Sequence, residues 1–362
     1  MTSPRFASAW ASASGWEDAL QGVLASLPRL PQANLGFLYV SDHFAFALDP
    51  LLNRLRQHTG VQEWIGATGV GVLGREGAAL DAPGLSVMLG AFPLDCFRVF
   101  SGRKPLPRDF SAYAALVHGD PLTPDMSELV SDMSHKIRGG SLAGGLASAR
   151  QQAWHIAEAP LTGGLSGVAF NDRIQMLTGL SQGCLPLPGS WHVTAAQDSL
   201  IERIDGRPAT EVFREAAGPA LGADLRRAVN TLLVGLTDDD QDRRQFAARR
   251  IVAIDLRSGK LAINESVSKG QSLLFLKRDE EAARQDLLQM LHDLRDACPR
   301  PPAGGIYVSC AGRGGIMFDS DDAEVSMIRE VFGDIPLAGF FAAGEIAGSR
   351  LFGQTGTLTL FV

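Results

Sequence analysis

Short apolar runs alternate with amphipathic helical patterns along this chain, and the pattern is clearest between Gly304 and Gly348. Residues 306–308 form an apolar run rich in β-branched and aromatic side chains, which predicts a strand. Asp321 and Asp322 predict the start of a helix, because carboxylates favour its positive amino-terminal end. Apolar residues follow at helical spacing until Gly333, and residues 337–342 predict a second buried strand. The segment is therefore predicted to be strand, polar turn, helix and strand.

The same pattern occurs twice more. Gly36-Phe-Leu-Tyr-Val-Ser-Asp is similar to Gly304-Gly-Ile-Tyr-Val-Ser-Cys, and a fainter copy begins with a strand at residues 114–118. In each copy, two glycines of the second strand region are five residues apart: Gly66 and Gly71, Gly139 and Gly144, Gly339 and Gly344. Such repetition indicates duplication of one unit, although α/β proteins also reuse strand–helix–strand units independently. If the copies are duplicates, residues 35–74 and 305–348 should align in one strand order and direction.

The pattern changes after residue 180. A constrained segment rich in turn residues begins at Ser181, and strands joined by tight turns follow it, including a predicted hairpin formed by residues 250–256 and 261–264. Before that point, residues 165–170 and 174–177 predict another hairpin, around Asn171-Asp172. The predicted fold is α/β, with two lobes of mixed β-sheets flanked by helices and related by internal duplication. The predicted domains are residues 1–180 and 181–362.

Composition restricts the class of protein. A chain of 362 residues with 45% hydrophobic and 20% charged residues is typical of a folded globular protein and is long enough for two domains. The net charge of −7 argues against a nucleic-acid partner. The four cysteines lack metal-ligand spacing and indicate reduced thiols. Neither a signal-peptide pattern nor a membrane-spanning apolar run is present, so we expect a cytoplasmic protein without a membrane partner.

Familiar catalytic and cofactor motifs are missing from the sequence. There is no phosphate-binding loop and no dinucleotide fingerprint, and Gly164-Leu-Ser166-Gly167 fails as a nucleophile elbow at the last glycine. The seven histidines never occur at zinc-hydrolase spacing. The sequence therefore predicts no metal, no cofactor and no enzymatic activity.

Three residues near predicted strand ends carry the candidate chemistry. Cys310 lies close to Arg313, whose guanidinium could lower the pKa of the thiol and make it a nucleophile, but no base is identifiable and simple packing is favoured. Arg313 and Glu345 could hold the carboxylate and the amine of a ligand, or they could pair with each other. Both alternatives stay open. The histidines His135 and His192 are isolated and are interpreted as structural.

Four stretches, taken in order, resemble the FIST sensory family, with its N-terminal and C-terminal parts. Each stretch alone is weak evidence for the family, but together the four span nearly the whole chain. They are Trp64-Ile-Gly-Ala-Thr-Gly-Val-Gly; Gly139-Gly-Ser-Leu-Ala-Gly-Gly; Ser181-Gln-Gly-Cys with Val193-Thr and Ile204-Asp-Gly-Arg-Pro-Ala; and Ser309-Cys-Ala-Gly-Arg-Gly with Ala338-Gly-Phe-Phe-Ala-Ala-Gly-Glu-Ile.

The resemblance implies a cytoplasmic sensor in signal transduction that binds a small ligand, such as an amino acid or a similar polar metabolite. Members are often fused to signalling outputs, some bind haem and sense nitric oxide, and one F-box receptor carries the same pair of domains. This sequence shows no output segment, so we expect a separate signalling partner. Val72 occupies the place of Glu345 in the first copy, so only the C-terminal copy could use that carboxylate.

The predicted function is thus binding of a small polar metabolite in the C-terminal lobe or at the lobe junction. The alternatives are a haem-dependent nitric oxide sensor, an enzyme that uses Cys310 as nucleophile, and a protein-interaction module. The predicted ligand-binding residues are Gln182, Cys184, Ser309, Cys310, Arg313 and Glu345.

Overall fold

A computed structural model describes residues 5–237 and 246–362, and the chain divides into two compact units. The first unit comprises residues 1–182 and 284–362, and the second comprises residues 183–283. The chain thus leaves the first unit close to the predicted domain boundary at residue 181 and returns to it at residue 284. The assignment of residues 1–180 and 181–362 to separate domains stays a prediction.

The elements of residues 5–182 are strands and three helices, with one 3₁₀ helix at Asp42–Ala47. They are β1 (Arg5–Ala11), α1 (Trp16–Ser26), β2 (Leu35–Ser41), α2 (Leu48–Thr59), β3 (Glu63–Gly69), β4 (Gly71–Gly74), β5 (Gly77–Leu80), β6 (Leu85–Ala91), β7 (Phe97–Phe100), β8 (Ala114–Gly119), α3 (Met126–His135), β9 (Ser141–Leu146), β10 (His155–Ala157), β11 (Ala159–Leu161), β12 (Leu165–Phe170) and β13 (Met176–Gln182).

The remaining elements follow in chain order. They are β14 (Cys184–Pro186), β15 (Trp191–Gln197), β16 (Leu200–Ile204), β17 (Arg207–Pro208), α4 (Ala209–Gly222), α5 (Leu225–Thr231), β18 (Leu232–Thr237), β19 (Ala247–Asp255), β20 (Lys260–Ile263), β21 (Ser272–Arg278), α6 (Glu280–Ala297), β22 (Gly304–Cys310), α7 (Gly315–Phe318), α8 (Ala323–Phe332), β23 (Leu337–Ala342), β24 (Gly344–Ala347), β25 (Arg350–Phe352) and β26 (Thr355–Phe361). The α/β class with mixed sheets is confirmed.

The first unit contains three copies of one structural repeat. Each copy begins with a strand, a helix and a second strand parallel to the first: β2–α2–β3, β8–α3–β9 and β22–α8–β23. A hairpin and a final strand, antiparallel to the first, complete each copy: β4–β5–β6, β10–β11–β12 and β24–β25–β26. The predicted common connectivity of residues 35–74 and 305–348 is confirmed. The repetition lies inside the first unit, however, rather than between two lobes.

The repeats exchange their hairpins in a cycle. Strand β4 of the first repeat pairs with β23 of the third, β24 of the third pairs with β9 of the second, and β10 of the second pairs with β3 of the first. Each of the three sheets therefore has six strands and is completed by its neighbour. Because a strand edge left unpaired exposes backbone donors and acceptors, this exchange also covers one edge of each parallel strand pair.

The three sheets share one hydrophobic core. Phe37, Leu116 and Val308, one residue from each first strand, lie in the same buried cluster, while the helices α2 and α3 cover the opposite faces of their sheets. One glycine position recurs where the parallel strands approach each other: Gly66, Gly144 and Gly339. A Cβ at any of the three would lie 1.8 Å from a carbonyl oxygen of the neighbouring strand. This position is therefore restricted to glycine in all three repeats.

That shared glycine corrects the alignment of the repeats. Gly66 pairs with Leu38, and Gly339 pairs with Tyr307, so Tyr39 corresponds to Val308 and not to Tyr307. Since a shift of one residue moves a strand side chain to the other face, Tyr39 points into the shared core and Tyr307 towards α8. The Tyr-Val-Ser match of the two sequences is thus out of register by one residue. Likewise Gly144, and not Gly139, corresponds to Gly66.

The hairpin predicted at residues 165–177 is wrong. Both strands exist, but β12 pairs with β7 and β8, whereas β13 pairs with β26 at the edge of another sheet. The turn at Asn171-Asp172 therefore passes from the second repeat to the sheet of the third repeat, which local sequence cannot indicate.

The second unit is a small antiparallel barrel. Six strands close into a ring in the order β15, β16, β20, β19, β18 and β21, and β21 pairs again with β15. Side chains of α4 and α5 join the same core, among them Phe213 and Leu225. The predicted hairpin of residues 250–256 and 261–264 is confirmed as β19–β20. Within the described ranges, no helix is long and apolar enough to cross a membrane.

Candidate functional site

An open cavity lies at the carboxyl ends of the parallel strands β2 and β3. Its volume is about 500 Å³, which is in the usual range for small-molecule sites. One wall is formed by the residues that directly follow β2. The other wall is formed by the segment between β9 and β10, which belongs to the second repeat. In α/β sheets, ligands commonly bind beyond the carboxyl ends of strands. The lining residues are Asp42, His43, Ala45, Phe46, Ala149, Arg150, Gln151, Gln152 and Trp154.

The two walls are joined by an ion pair between Asp42 and Arg150. Arg150 donates from Nε at 3.0 Å and from Nη2 at 2.5 Å, and its backbone N–H donates to the same carboxylate at 2.7 Å. The Asp42 side chain is only 5% exposed, against 48% for Arg150. Burial opposes ionisation of Asp42, but the hydrogen bonds from Arg150 outweigh it and hold the pKa of the carboxyl below its usual range. The pair therefore fixes the guanidinium at the cavity wall.

One polar group at the cavity wall remains uncommitted. The side-chain hydrogen bonds of Arg150 to Asp42 and His43 are made by Nε and Nη2. Its third nitrogen, Nη1, makes no hydrogen bond to the described residues. A guanidinium held in this way can donate to a carboxylate oxygen of a ligand. The wall opposite Asp42 is also anchored, since the Trp154 backbone exchanges hydrogen bonds with Thr68.

The predicted residues Ser309, Cys310, Arg313 and Glu345 lie elsewhere, in a buried polar cluster of the third repeat. Arg313 is fully buried and pairs with Glu324 of α8, with 2.8 Å between Nε and Oε1. The Glu324 carboxylate also accepts from Tyr307 at 2.7 Å and from Ser309 at 2.6 Å. The ion-pair partner of Arg313 is therefore Glu324 and not Glu345, although the pair is buried as one of the two alternatives supposed.

Glu345 occupies the same cluster without a charged hydrogen-bond partner. Its Oε2 accepts from the backbone and the hydroxyl of Thr355, at 3.2 and 2.6 Å, while its buried Oε1 has no partner among the described residues. Burial raises the pKa of Glu345 to about 8, against the opposing effects of Thr355 and Arg313. Burial, and then the nearby Glu345 carboxylate, raise the pKa of Cys310 to about 12. A thiol in this state is a poor nucleophile.

Gln182 and Cys184 belong to different units. Gln182 ends β13, and its backbone N–H donates to Asp286 of α6 at 2.6 Å. Cys184 begins β14 of the second unit and is buried in a small cluster with Leu233, Phe246 and Leu276. The role of all six predicted residues in ligand binding stays a prediction. Four of them share the buried cluster, and none lines the cavity.

Sequence reasoning missed Glu324 and the pair of Asp42 and Arg150. Glu324 could have been found, because it is the one charged residue on the buried face of α8, beside Val325 and Ile328. Asp42 and Arg150 are separated by 108 positions and belong to different repeats. Only the hairpin exchange brings them together.

Removal of Arg313 should strongly destabilise the protein. Arg313→Ala leaves the buried Glu324 carboxylate without its countercharge, and we expect a loss of roughly 3–5 kcal/mol in the free energy of unfolding. Arg75→Ala is the matched control, because the Arg75–Glu76 pair is exposed and should contribute about 0–1 kcal/mol. Urea unfolding of the ligand-free variants measures both. A cost for Arg313→Ala as small as that of Arg75→Ala would contradict a structural role for the pair.

Glu345 should make the stability of the protein fall with rising pH. Its folded pKa of about 8 lies above the unfolded value of 4.5, so its contribution is fully present below about pH 4.5 and is lost as the pH rises through about 8. Glu345→Gln should resemble the wild type at about pH 5 and should be more stable at about pH 9, by up to roughly 5 kcal/mol. The exposed Glu330→Gln is the control in urea unfolding at each pH. A difference between Glu345→Gln and wild type that does not vary with pH would show that Glu345 is ionised throughout.

Comparison with known proteins gives the family. The FIST N domain matches residues 34–207, and the FIST C domain matches residues 209–348. The chain is 30% identical over 319 residues to uncharacterized protein Rv0628c of Mycobacterium tuberculosis, covering 82% of this chain and 83% of the relative. It is 32% identical over 307 residues to uncharacterized protein Mb0898c of Mycobacterium bovis, covering 78% of each chain. The resemblance seen in the four sequence stretches is confirmed, and the chain belongs to the FIST family.

Proposed function

We propose that this protein is a sensor that binds a small polar metabolite in the cavity beside Asp42 and Arg150. FIST domains are associated with sensing of small ligands in signal transduction. The observation that carries the proposal is the open cavity of about 500 Å³, with a guanidinium fixed at its wall and one nitrogen, Nη1, left for a ligand. The buried cluster around Arg313 offers no comparable opening, because its charged side chains are fully enclosed.

The ligand is of amino-acid size or somewhat larger. A carboxylate would accept from Nη1 of Arg150, and the amide side chain of Gln151 would supply a further polar contact at the lining. These few convergent polar groups, in a wall that also contains alanine and aromatic side chains, are typical of metabolite sites.

A nucleophilic enzyme that uses Cys310 receives little support. The side chain is 5% exposed and the pKa of its thiol is raised to about 12, so the thiolate would be scarce at neutral pH. Binding, rather than catalysis, is therefore the function that the site favours.

The cellular setting of the sensor is part of the same proposal. Cys96, Cys298 and Cys310 are free thiols, which is typical of a reducing compartment, and we propose that the protein is cytoplasmic. Ligand binding in the cavity would be communicated to a separate signalling protein. Ser148, next to the cavity residue Ala149, offers a first contact for such a relay, because its hydroxyl donates to Phe341 of β23 at 2.5 Å.

Blocking the cavity should abolish ligand-induced stabilisation. In thermal melts of the wild type with single amino acids and small carboxylates, we expect at least one compound to raise the melting temperature, because binding to the native state stabilises it. Ala45→Trp fills the cavity while it leaves the Asp42–Arg150 pair in place, and it should remove that shift. Leu94→Trp is the control, since Leu94 is 82% exposed and lies outside the cavity lining. An equal shift in wild type and Ala45→Trp would place the ligand elsewhere.

A further inference from the structure

We propose that the ligand of this cavity is a small aromatic compound with a single carboxylate. The inference rests on the proposed function and adds the chemical class of the ligand. Three features of the cavity support it: an exposed phenylalanine at its edge, an anchored tryptophan in its wall, and a lining whose charges nearly cancel.

Phe46 is an unusual residue in this chain. It is 79% exposed, and no other phenylalanine among the described residues is exposed to that degree. Its 3₁₀ helix, Asp42–Ala47, buries Phe44 and Ala47 and leaves Phe46 at the cavity. Because Phe46 lines the cavity, its exposed ring can bury apolar surface against a ligand that binds there, and such burial is favourable. The position therefore suits a ligand with an apolar ring.

Trp154 supplies a second aromatic surface on the opposite wall. Its backbone N–H donates to the Thr68 hydroxyl at 2.9 Å, and its carbonyl accepts from the Thr68 backbone at 2.8 Å, so the residue is held in place. Thr68 itself is fully buried in β3. The Trp154 side chain packs against the buried cluster that includes α2. An aromatic ligand would therefore meet a side chain that is already positioned, and ring–ring contacts add to the effect of burial alone.

The charges at the cavity limit the ligand to one negative charge. The Asp42 carboxylate offsets the Arg150 charge, and the hydrogen bonds that Arg150 donates to Asp42 raise the pKa of Arg150, with a further contribution from the nearby Asp81. A phosphate or a dicarboxylate would bring extra negative charge towards both aspartates. A single carboxylate can accept from Nη1 of Arg150 with less of that repulsion.

Calorimetric titration with matched probes tests the inference. The probes are phenylacetate, acetate, which has no ring, and 2-phenylethanol, which has no charge. We expect phenylacetate to bind the full chain at least about tenfold more tightly than either of the other two. Phe46→Ala should weaken phenylacetate binding by roughly three- to tenfold and should leave acetate binding within about twofold. Because Phe46 is exposed, this variant should fold normally, and Leu94→Ala is the control for loss of an exposed apolar side chain.

Three outcomes would overturn the inference. They are equal affinity for acetate and phenylacetate, an unchanged phenylacetate affinity in Phe46→Ala, and no phenylacetate binding by the wild type. In each case, the Ala45→Trp melts show separately whether the cavity binds some other metabolite. If Ala45→Trp still removes the stabilisation by another compound, only the aromatic class is wrong. If it does not, the proposed function fails as well.

Discussion

The exchange of hairpins among three repeats is the constraint on which the first unit depends. A repeat alone provides a parallel strand pair whose second strand has an open edge. That edge is filled in every case by a hairpin strand of another repeat: β4 on β23, β24 on β9 and β10 on β3. No repeat can complete its sheet without a neighbour, and the three inner faces bury one core together. The glycine at Gly66, Gly144 and Gly339 allows the close approach of the parallel strands that this arrangement uses.

The same exchange produces two different environments at equivalent strand ends. In the first repeat, residues that follow β2 face a segment from the second repeat across an open cavity. In the third repeat, the segment after β22 is tied to the hairpin of the first repeat, because Asp321 and Asp322 accept from the backbone of Leu80 and Ala78. Arg313 and Glu324 are enclosed behind it. One strand end thus borders an open cavity, where we propose that a ligand binds. The other borders a buried polar network that joins α8 to its sheet.

The local elements and the local hairpin β19–β20 could be predicted from the sequence, but the pairing of strands that lie far apart along the chain could not. Strand 337–342 and the helix end at Gly333 follow from apolar periodicity and glycine, and the structure has both. The hairpin at residues 165–177 failed because β13 pairs with a strand from the end of the chain. The Tyr-Val-Ser match failed because strand register depends on the partner strand, which composition does not specify. For the same reason Asp42 and Arg150 could not be recognised as a pair, although Arg313 was recognised as a special residue.

We propose that this FIST protein binds its ligand at the carboxyl end of β2, against Arg150. The most direct test is a crystal structure of the protein grown in the presence of a compound that raises its melting temperature. We expect a bound molecule in the cavity, with an acceptor atom in hydrogen-bond reach of Arg150 Nη1 and the Asp42–Arg150 pair intact. A bound molecule beside Glu345 and Cys310, with the cavity empty, would contradict this proposal. It would show that the ligand binds at residues that were predicted from the sequence.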